Sequence, residues 1–65
     1  MPCVVYKELV RKGKQLVWVE KILITTDKDR VVYDGVFDKK NEKILNWIDK
    51  YADNPDEFKR RHNLI

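Results

Sequence analysis

The sequence is short of the residues from which most enzyme sites are built. It has no serine, one cysteine (Cys3) and one histidine (His62), and its only glycines, Gly13 and Gly35, stand far apart. These counts exclude a serine nucleophile, an internal disulfide, a pair of histidine ligands and a glycine-rich phosphate loop. We therefore expect a protein that is not an enzyme and has no cofactor, no metal site and no small-molecule substrate.

Long apolar runs are also missing. No stretch approaches the roughly 20 apolar residues that a membrane-spanning helix needs, so we expect no membrane partner. The first residues, Met1-Pro2-Cys3, show no charged leader followed by an apolar segment, so we expect no secretory signal. A lone cysteine suits a reducing compartment, and we expect a cytoplasmic location.

The composition is that of a folded protein, with 43% hydrophobic, 38% charged and 11% aromatic residues. A chain of 65 residues predicts one small globular domain over positions 1–65. A domain of that size buries only about 60% of the surface that its unfolded chain exposes, so its stability depends on covering its apolar side chains well.

Three segments rich in β-branched and aromatic residues predict strands at 3–10, 16–25 and 31–37. The segment 11–15 contains Gly13 and predicts a tight turn, and the polar segment 26–30 predicts a second turn. Asp34-Gly35 inside the third strand indicates either a β-bulge or a tight turn that splits the strand. We favour the bulge, because each half of a split strand would have only about three residues.

Helical spacing replaces the strand pattern after the third strand. Its apolar stripe predicts a long helix over about 39–53, capped by Asp38 or Asn41. Asn54-Pro55 then predicts the start of a short helix over about 55–62, because Asn suits the N-cap and Pro the first helical position. The predicted fold class is α+β, a three-stranded antiparallel β-meander followed by one long and one short C-terminal helix.

The second strand is apolar on both faces, which one helix cannot cover. The stripe of the long helix should pack on the face that carries Trp18 and Ile22, with Trp18 facing Trp47 in the core. The other face can be covered by the C-terminal tail, through Phe58, Leu64 and Ile65, by curling of the sheet, or by another molecule. An outer strand edge offers a second route to association. The predicted protein-interface residues are Val17, Val19, Leu23 and Trp47.

The net charge of +3 is mild, so the placement of the basic residues matters more than their sum. A meander brings the first turn next to the start of the long helix, which predicts one basic pole. Tyr6 and Tyr33 are candidates for stacking on bases, although a solvated surface explains the same lysines. The predicted nucleic-acid-binding residues are Arg11, Lys12, Lys14, Lys39, Lys40 and Lys43.

These patterns predict a small non-enzymatic interaction protein of the regulator or inhibitor type. It would bind a protein partner and also itself, as a homodimer associated through the sheet. Size and composition alone suit small regulators of phages and mobile elements. The alternative is a nucleic-acid-binding module that uses the basic pole.

Overall fold

The predicted order of three strands followed by two helices is confirmed by the computed structural model, which describes residues 2–64. The strands form one antiparallel sheet in the order β1-β2-β3. Neither helix in the described range has the length and hydropathy to cross a membrane. The elements are β1 (Cys3–Lys12), β2 (Gln15–Thr25), β3 (Val31–Val36), α1 (Glu42–Tyr51) and α2 (Pro55–Arg61).

The first turn has the two-residue form that a glycine permits. Lys12 pairs with Gln15, which leaves only Gly13 and Lys14 in the loop. Gly13 has a φ of 64°, whereas Lys14 is not among the residues with positive φ. A two-residue loop with positive φ at its first residue only is a type II′ turn, whose twist matches that of the flanking strands.

The bulge lies elsewhere than at Asp34-Gly35. Ile24 pairs with Tyr33 and Thr25 with Val31, so Val32 is the extra residue, and β3 runs unbroken to Val36. Both interpretations of Asp34-Gly35, the bulge there and the splitting turn, are therefore wrong.

Glycine is required at position 35 because a neighbouring side chain leaves no room for a Cβ. A Cβ built on it would lie 2.8 Å from the hydroxyl oxygen of Tyr33. That hydroxyl donates a hydrogen bond to the Val36 carbonyl at 2.8 Å, so the tyrosine ring is held across the glycine. A side chain at position 35 would displace it.

Side-chain caps set the helix ends. The Asn41 side chain accepts a hydrogen bond from the Lys43 amide and caps α1, so α1 begins later than predicted. The Asn54 side chain accepts from the Glu57 amide and caps α2, as predicted. After α2 the chain takes a left-handed conformation at Asn63, the usual way to satisfy the last carbonyls of a helix.

The core lies between α1 and one end of the sheet. It consists of Ile22, Ile24, Phe37, Ile44 and Ile48, each at most 6% exposed. The apolar stripe predicted for the long helix therefore does face β2. Half-buried side chains that pack around this core include Val5, Tyr33, Leu45, Trp47, Tyr51, Phe58 and Leu64.

The helices are too short to cover the whole face of β2. Ten residues of α1 span about 15 Å at 1.5 Å per residue. Eleven residues of β2 span about 36 Å at roughly 3.3 Å per residue. The core accordingly stops at Ile22, and the expectation that Trp18 packs beneath the helix against Trp47 is wrong.

The described part of the C-terminal tail, up to Leu64, does not cover the second face of the sheet. Phe58 and Leu64 pack against the core on the same side as α1. Ile65, the remaining residue of the predicted cover, lies outside the described residues. Among residues 2–64, no helix or tail segment lies on the other face, which we call the open face.

Candidate protein-binding surface

The hairpin of β1 and β2 extends well past the rest of the molecule. β3 pairs with β2 only from Lys21 to Thr25, and the Phe37 amide adds one hydrogen bond to the Glu20 carbonyl. Residues 8–19 are therefore a two-stranded ribbon, which we call the ribbon arm. Its five residue pairs from Glu8↔Val19 to Lys12↔Gln15 give it a length of about 17 Å.

The helix-side face of the ribbon arm is apolar and uncovered. Trp18 is 68%, Leu16 61% and Leu9 46% exposed, and Leu9 lies directly opposite Trp18. The opposite face of the ribbon arm is mixed: the half-buried Val17 and Val19 share it with the exposed Glu8 and Lys12. An isolated two-stranded hairpin is only marginally stable in water, and exposed apolar side chains clustered on one of its faces are typical of a binding surface.

The predicted interface residues do not form one surface. Val17, Val19 and Leu23 lie together on the open face and are half-buried by their neighbours in the sheet. Trp47 lies on the helix side, where its ring stacks on Tyr33 with centroids 5.6 Å apart. Sequence reasoning did not identify Leu9, Leu16 and Trp18 as surface residues. Strand alternation alone assigns Leu16 and Trp18 to the same face as Ile22, which was expected to be buried.

Polar side chains occupy the middle of the open face. The Tyr6 hydroxyl donates a hydrogen bond to the Asp34 carboxylate at 2.5 Å, and the Lys21 ammonium contacts the Glu8 carboxylate at 2.5 Å. Tyr6 and Lys21 are direct cross-strand neighbours. The hydrogen bond to Asp34 raises the pKa of Tyr6, and the contact with Glu8 raises the pKa of Lys21. These four side chains divide the open face into two smaller apolar areas.

The basic residues form two groups rather than one pole. Lys12 and Lys14 are exposed at the tip of the ribbon arm, beside Arg11. Lys39 lies near the start of α1, where its ammonium is 3.7 Å from the Glu20 carboxylate. Glu20 and Gln15 are five residues apart in β2, so about 17 Å of strand separates this lysine from the tip. The expectation of a single basic pole is therefore wrong, because β3 ends opposite Lys21 and not at the first turn.

The two tyrosines proposed for base stacking are already engaged within the molecule. Tyr6 is hydrogen-bonded to Asp34, and Tyr33 is stacked on Trp47 and bonded to the Val36 carbonyl. Trp18, which is 68% exposed, is the aromatic side chain of the ribbon arm, whose tip carries the basic residues.

A groove of about 280 Å³ lies between the start of β1 and α2. Its walls include Cys3 and Phe58. Asp53 and Glu57 place two carboxylates along it, and Arg61, which also lines the groove, is ion-paired to Glu57 at 2.9 Å. Burial is the main cause that raises the pKa of the Cys3 thiol, and the negative charge of Asp53 raises it further. The thiol is therefore held in its protonated form, which is a poor nucleophile.

His62 lies at the end of α2, in contact with aromatic rings. Its ring centroid is 4.6 Å from that of Phe58 and 5.9 Å from that of Phe37. Within residues 2–64, no group of three or more His, Cys, Asp or Glu side chains is placed to hold a metal ion.

No family model, curated protein or solved structure matches the chain. The ribbon arm, the open face and the groove therefore supply the evidence on function.

Proposed function

We propose that the protein is a non-enzymatic interaction module, of the regulator or inhibitor type, that binds a protein partner through its ribbon arm and associates with itself through its sheet. The observation that carries the proposal is the uncovered apolar face of the ribbon arm, with Trp18 68% exposed between Leu9 and Leu16. Tryptophan is enriched among the residues that dominate binding energy at protein interfaces. The same proposal includes a cytoplasmic location, which the single cysteine favours.

The chemistry of the ribbon arm defines the kind of partner. The exposed Leu9, Leu16 and Trp18 fit a cleft with one apolar wall, because burying one such side chain fully contributes roughly 1.5–3 kcal/mol. The tip carries Arg11, Lys12 and Lys14, which fit an acidic rim at the far end of that cleft. A partner with its cleft filled in this way cannot admit its own substrate or ligand, so occupancy alone would regulate it.

The test compares two sets of exposed apolar residues. The arm variant carries Leu16→Ser and Trp18→Ala, and the control carries Val31→Ser, which alters a 63% exposed residue outside the ribbon arm. A partner captured by the immobilised wild-type protein is purified and titrated against each variant. We expect the arm variant to bind at least about 30-fold more weakly, the effect of losing a residue worth about 2 kcal/mol or more, and the control to bind within about threefold of wild type.

Equal binding by the arm variant and the wild type would overturn the role of the ribbon arm. A second variant, Lys12→Glu with Lys14→Glu, tests the acidic rim, and we expect it to slow association more than it speeds dissociation.

Nucleic acid is the alternative partner, and the basic tip is the observation that favours it, since a two-stranded ribbon fits the major groove of DNA. The exposed apolar side chains on the helix-side face of the ribbon arm weigh against it. Retention on DNA that disappears at moderate salt, and whose salt slope flattens in a Lys12→Ala, Lys14→Ala variant, would favour this alternative over the protein partner.

A further inference from the structure

The outer edge of β1 presents a long row of backbone groups without partners in the sheet. Within residues 2–64, β1 pairs with β2 alone and shows no register shift along its ten residues. The Thr25 amide donates to the Pro2 carbonyl at 2.7 Å, which shows that even-numbered residues of this strand direct their backbone groups toward β2. The amides and carbonyls directed outward therefore belong to Cys3, Val5, Lys7, Leu9 and Arg11.

We propose that a second copy of this chain adds to this edge, with β1 antiparallel to β1 about a two-fold axis at Lys7, so that two three-stranded sheets become one six-stranded sheet. The inference rests on the self-association in the proposed function and names its geometry. Exposed strand edges that lack a bulge are templates for this kind of addition.

The register follows from the side chains and the backbone together. Residues opposite each other must point to the same face, so only shifts by an even number of residues are allowed. Centring on Lys7 pairs all five outward-directed residues and forms about ten backbone hydrogen bonds, whereas a shift of the centre by one residue in either direction loses one of these pairs. In this register Val5 lies opposite Leu9 of the second copy, which covers part of the exposed apolar face.

Charge complementarity supports the same register. Arg11 of the second copy comes to lie opposite Cys3, at the groove between β1 and α2 that also contains Asp53. The other carboxylate of the groove, Glu57, is already paired with Arg61. Asp53 has no ion pair within residues 2–64, and its charge already acts on the Cys3 thiol. The Arg11 guanidinium would meet the Asp53 carboxylate there, and the two-fold symmetry makes this contact twice.

The centre of the pairing brings two like charges together. Lys7 faces its own copy across the axis, which is unfavourable for directly opposed lysines. Glu20 lies opposite Lys7 in the β1–β2 ladder, so each Lys7 has a carboxylate on its neighbouring strand that reduces the repulsion, although that carboxylate also lies 3.7 Å from Lys39.

An edge contact also avoids the cost of packing two open faces together. The four polar side chains Tyr6, Glu8, Lys21 and Asp34 occupy the middle of that face. Face-to-face packing would remove two carboxylates and an ammonium group from water, and their mutual contacts often fail to repay that desolvation. Edge pairing leaves all four in solvent.

Cysteine crosslinking reads the register directly. In a Cys3→Ser background, Lys7→Cys places two thiols across the axis, where the Cα separation of about 5.5 Å suits a disulfide. The register control is Leu9→Cys, whose two thiols would lie about four residues apart, roughly 13 Å. Val19→Cys is the control for face-to-face packing. We expect an oxidised dimer from Lys7→Cys and little from the controls; crosslinking of either control in preference to Lys7→Cys would overturn the edge geometry.

A charge-reversal experiment tests the ends of the interface without changing β1 pairing. Arg11→Glu and Asp53→Arg each place like charges at both symmetric contacts, and we expect each variant alone to dimerise at least about tenfold more weakly. An equal mixture restores both contacts in the heterodimer, so we expect sedimentation to show dimer recovered only on mixing. No recovery on mixing, with both variants folded by circular dichroism, would overturn the register.

The outcomes separate this inference from the proposed function. A strictly monomeric wild-type protein at about millimolar concentration would overturn self-association and this geometry together, and would leave partner binding by Trp18 standing. A dimer that forms without the Lys7→Cys crosslink would overturn the geometry alone.

Discussion

Trp18 lies directly opposite Leu9 in the β1–β2 ladder, on the face of the sheet that holds the fully buried Ile22, yet 68% of its surface is exposed. Four residues along one strand separate complete burial from exposure to solvent. The boundary is where the helices end, and the ribbon arm beyond it accounts for the surface to which we assign binding.

The first prediction concerns the unequal roles of these residues in stability. Ile22→Ala should lower the free energy of unfolding by about 2–5 kcal/mol, because it leaves a cavity in the core. Trp18→Ala should lower it by no more than about 1 kcal/mol, because most of that side chain is already in water. Urea unfolding followed by circular dichroism measures both. A loss for Trp18→Ala as large as that for Ile22→Ala would show that the tryptophan is covered in solution.

The second prediction concerns the space above Gly35. Gly35→Ala should lower the free energy of unfolding by about 1–3 kcal/mol, because the new Cβ forces Tyr33 away from Trp47 and from the Val36 carbonyl. In a Tyr33→Ala background the same substitution should have a much smaller effect, since nothing then occupies the space. Additive losses in the double-mutant cycle would exclude this contact as the reason for the glycine.

The third prediction concerns pH and the Tyr6–Asp34 hydrogen bond. Because this bond raises the pKa of Tyr6 in the folded state, the phenol holds its proton more tightly there than in the unfolded chain. The resulting stability is fully present below about pH 10, the ordinary tyrosine pKa, and is lost as the pH rises through the raised value. Tyr6→Phe should remove this contribution to the loss of folding stability at alkaline pH.

The assignment of that titration has its own control. Absorbance titration of the wild type minus that of Tyr6→Phe isolates the Tyr6 phenol. Asp34→Asn should then move its midpoint downward, toward the ordinary value, because the acceptor carries no charge. A Tyr6 midpoint that does not change with Asp34→Asn would show that another group holds the proton.

Much of the fold was predictable from local patterns. Alternating β-branched residues located all three strands, and Asn54-Pro55 located the start of α2, because its cap is a contact between near neighbours in sequence. The role of Gly35 was not predictable from local patterns. Glycine is required there because the ring of Tyr33 lies across it, and no turn preference encodes that contact. The true bulge at Val32 likewise left no recognisable mark in the sequence.

The candidate site was predicted less well, for a reason of length. The apolar stripe of the long helix led us to expect a cover over the face that carries Trp18 and Ile22, but α1 is far shorter than β2. A comparison of the length of the helix with that of the second strand would have indicated from the sequence that the helix does not reach Leu16 and Trp18. The separation of Lys39 from Lys12 has the same origin, because a third strand of six residues cannot return to the first turn.

The most direct test of the uncovered ribbon arm is the fluorescence of Trp18 in dilute solution. Trp47→Phe leaves Trp18 as the sole tryptophan, and we predict a red-shifted emission and acrylamide quenching close to that of a free indole at concentrations where the protein is monomeric. A blue-shifted emission with strong protection from acrylamide in the monomer would show that the chain covers its own ribbon arm, and would contradict the proposal that another protein does so.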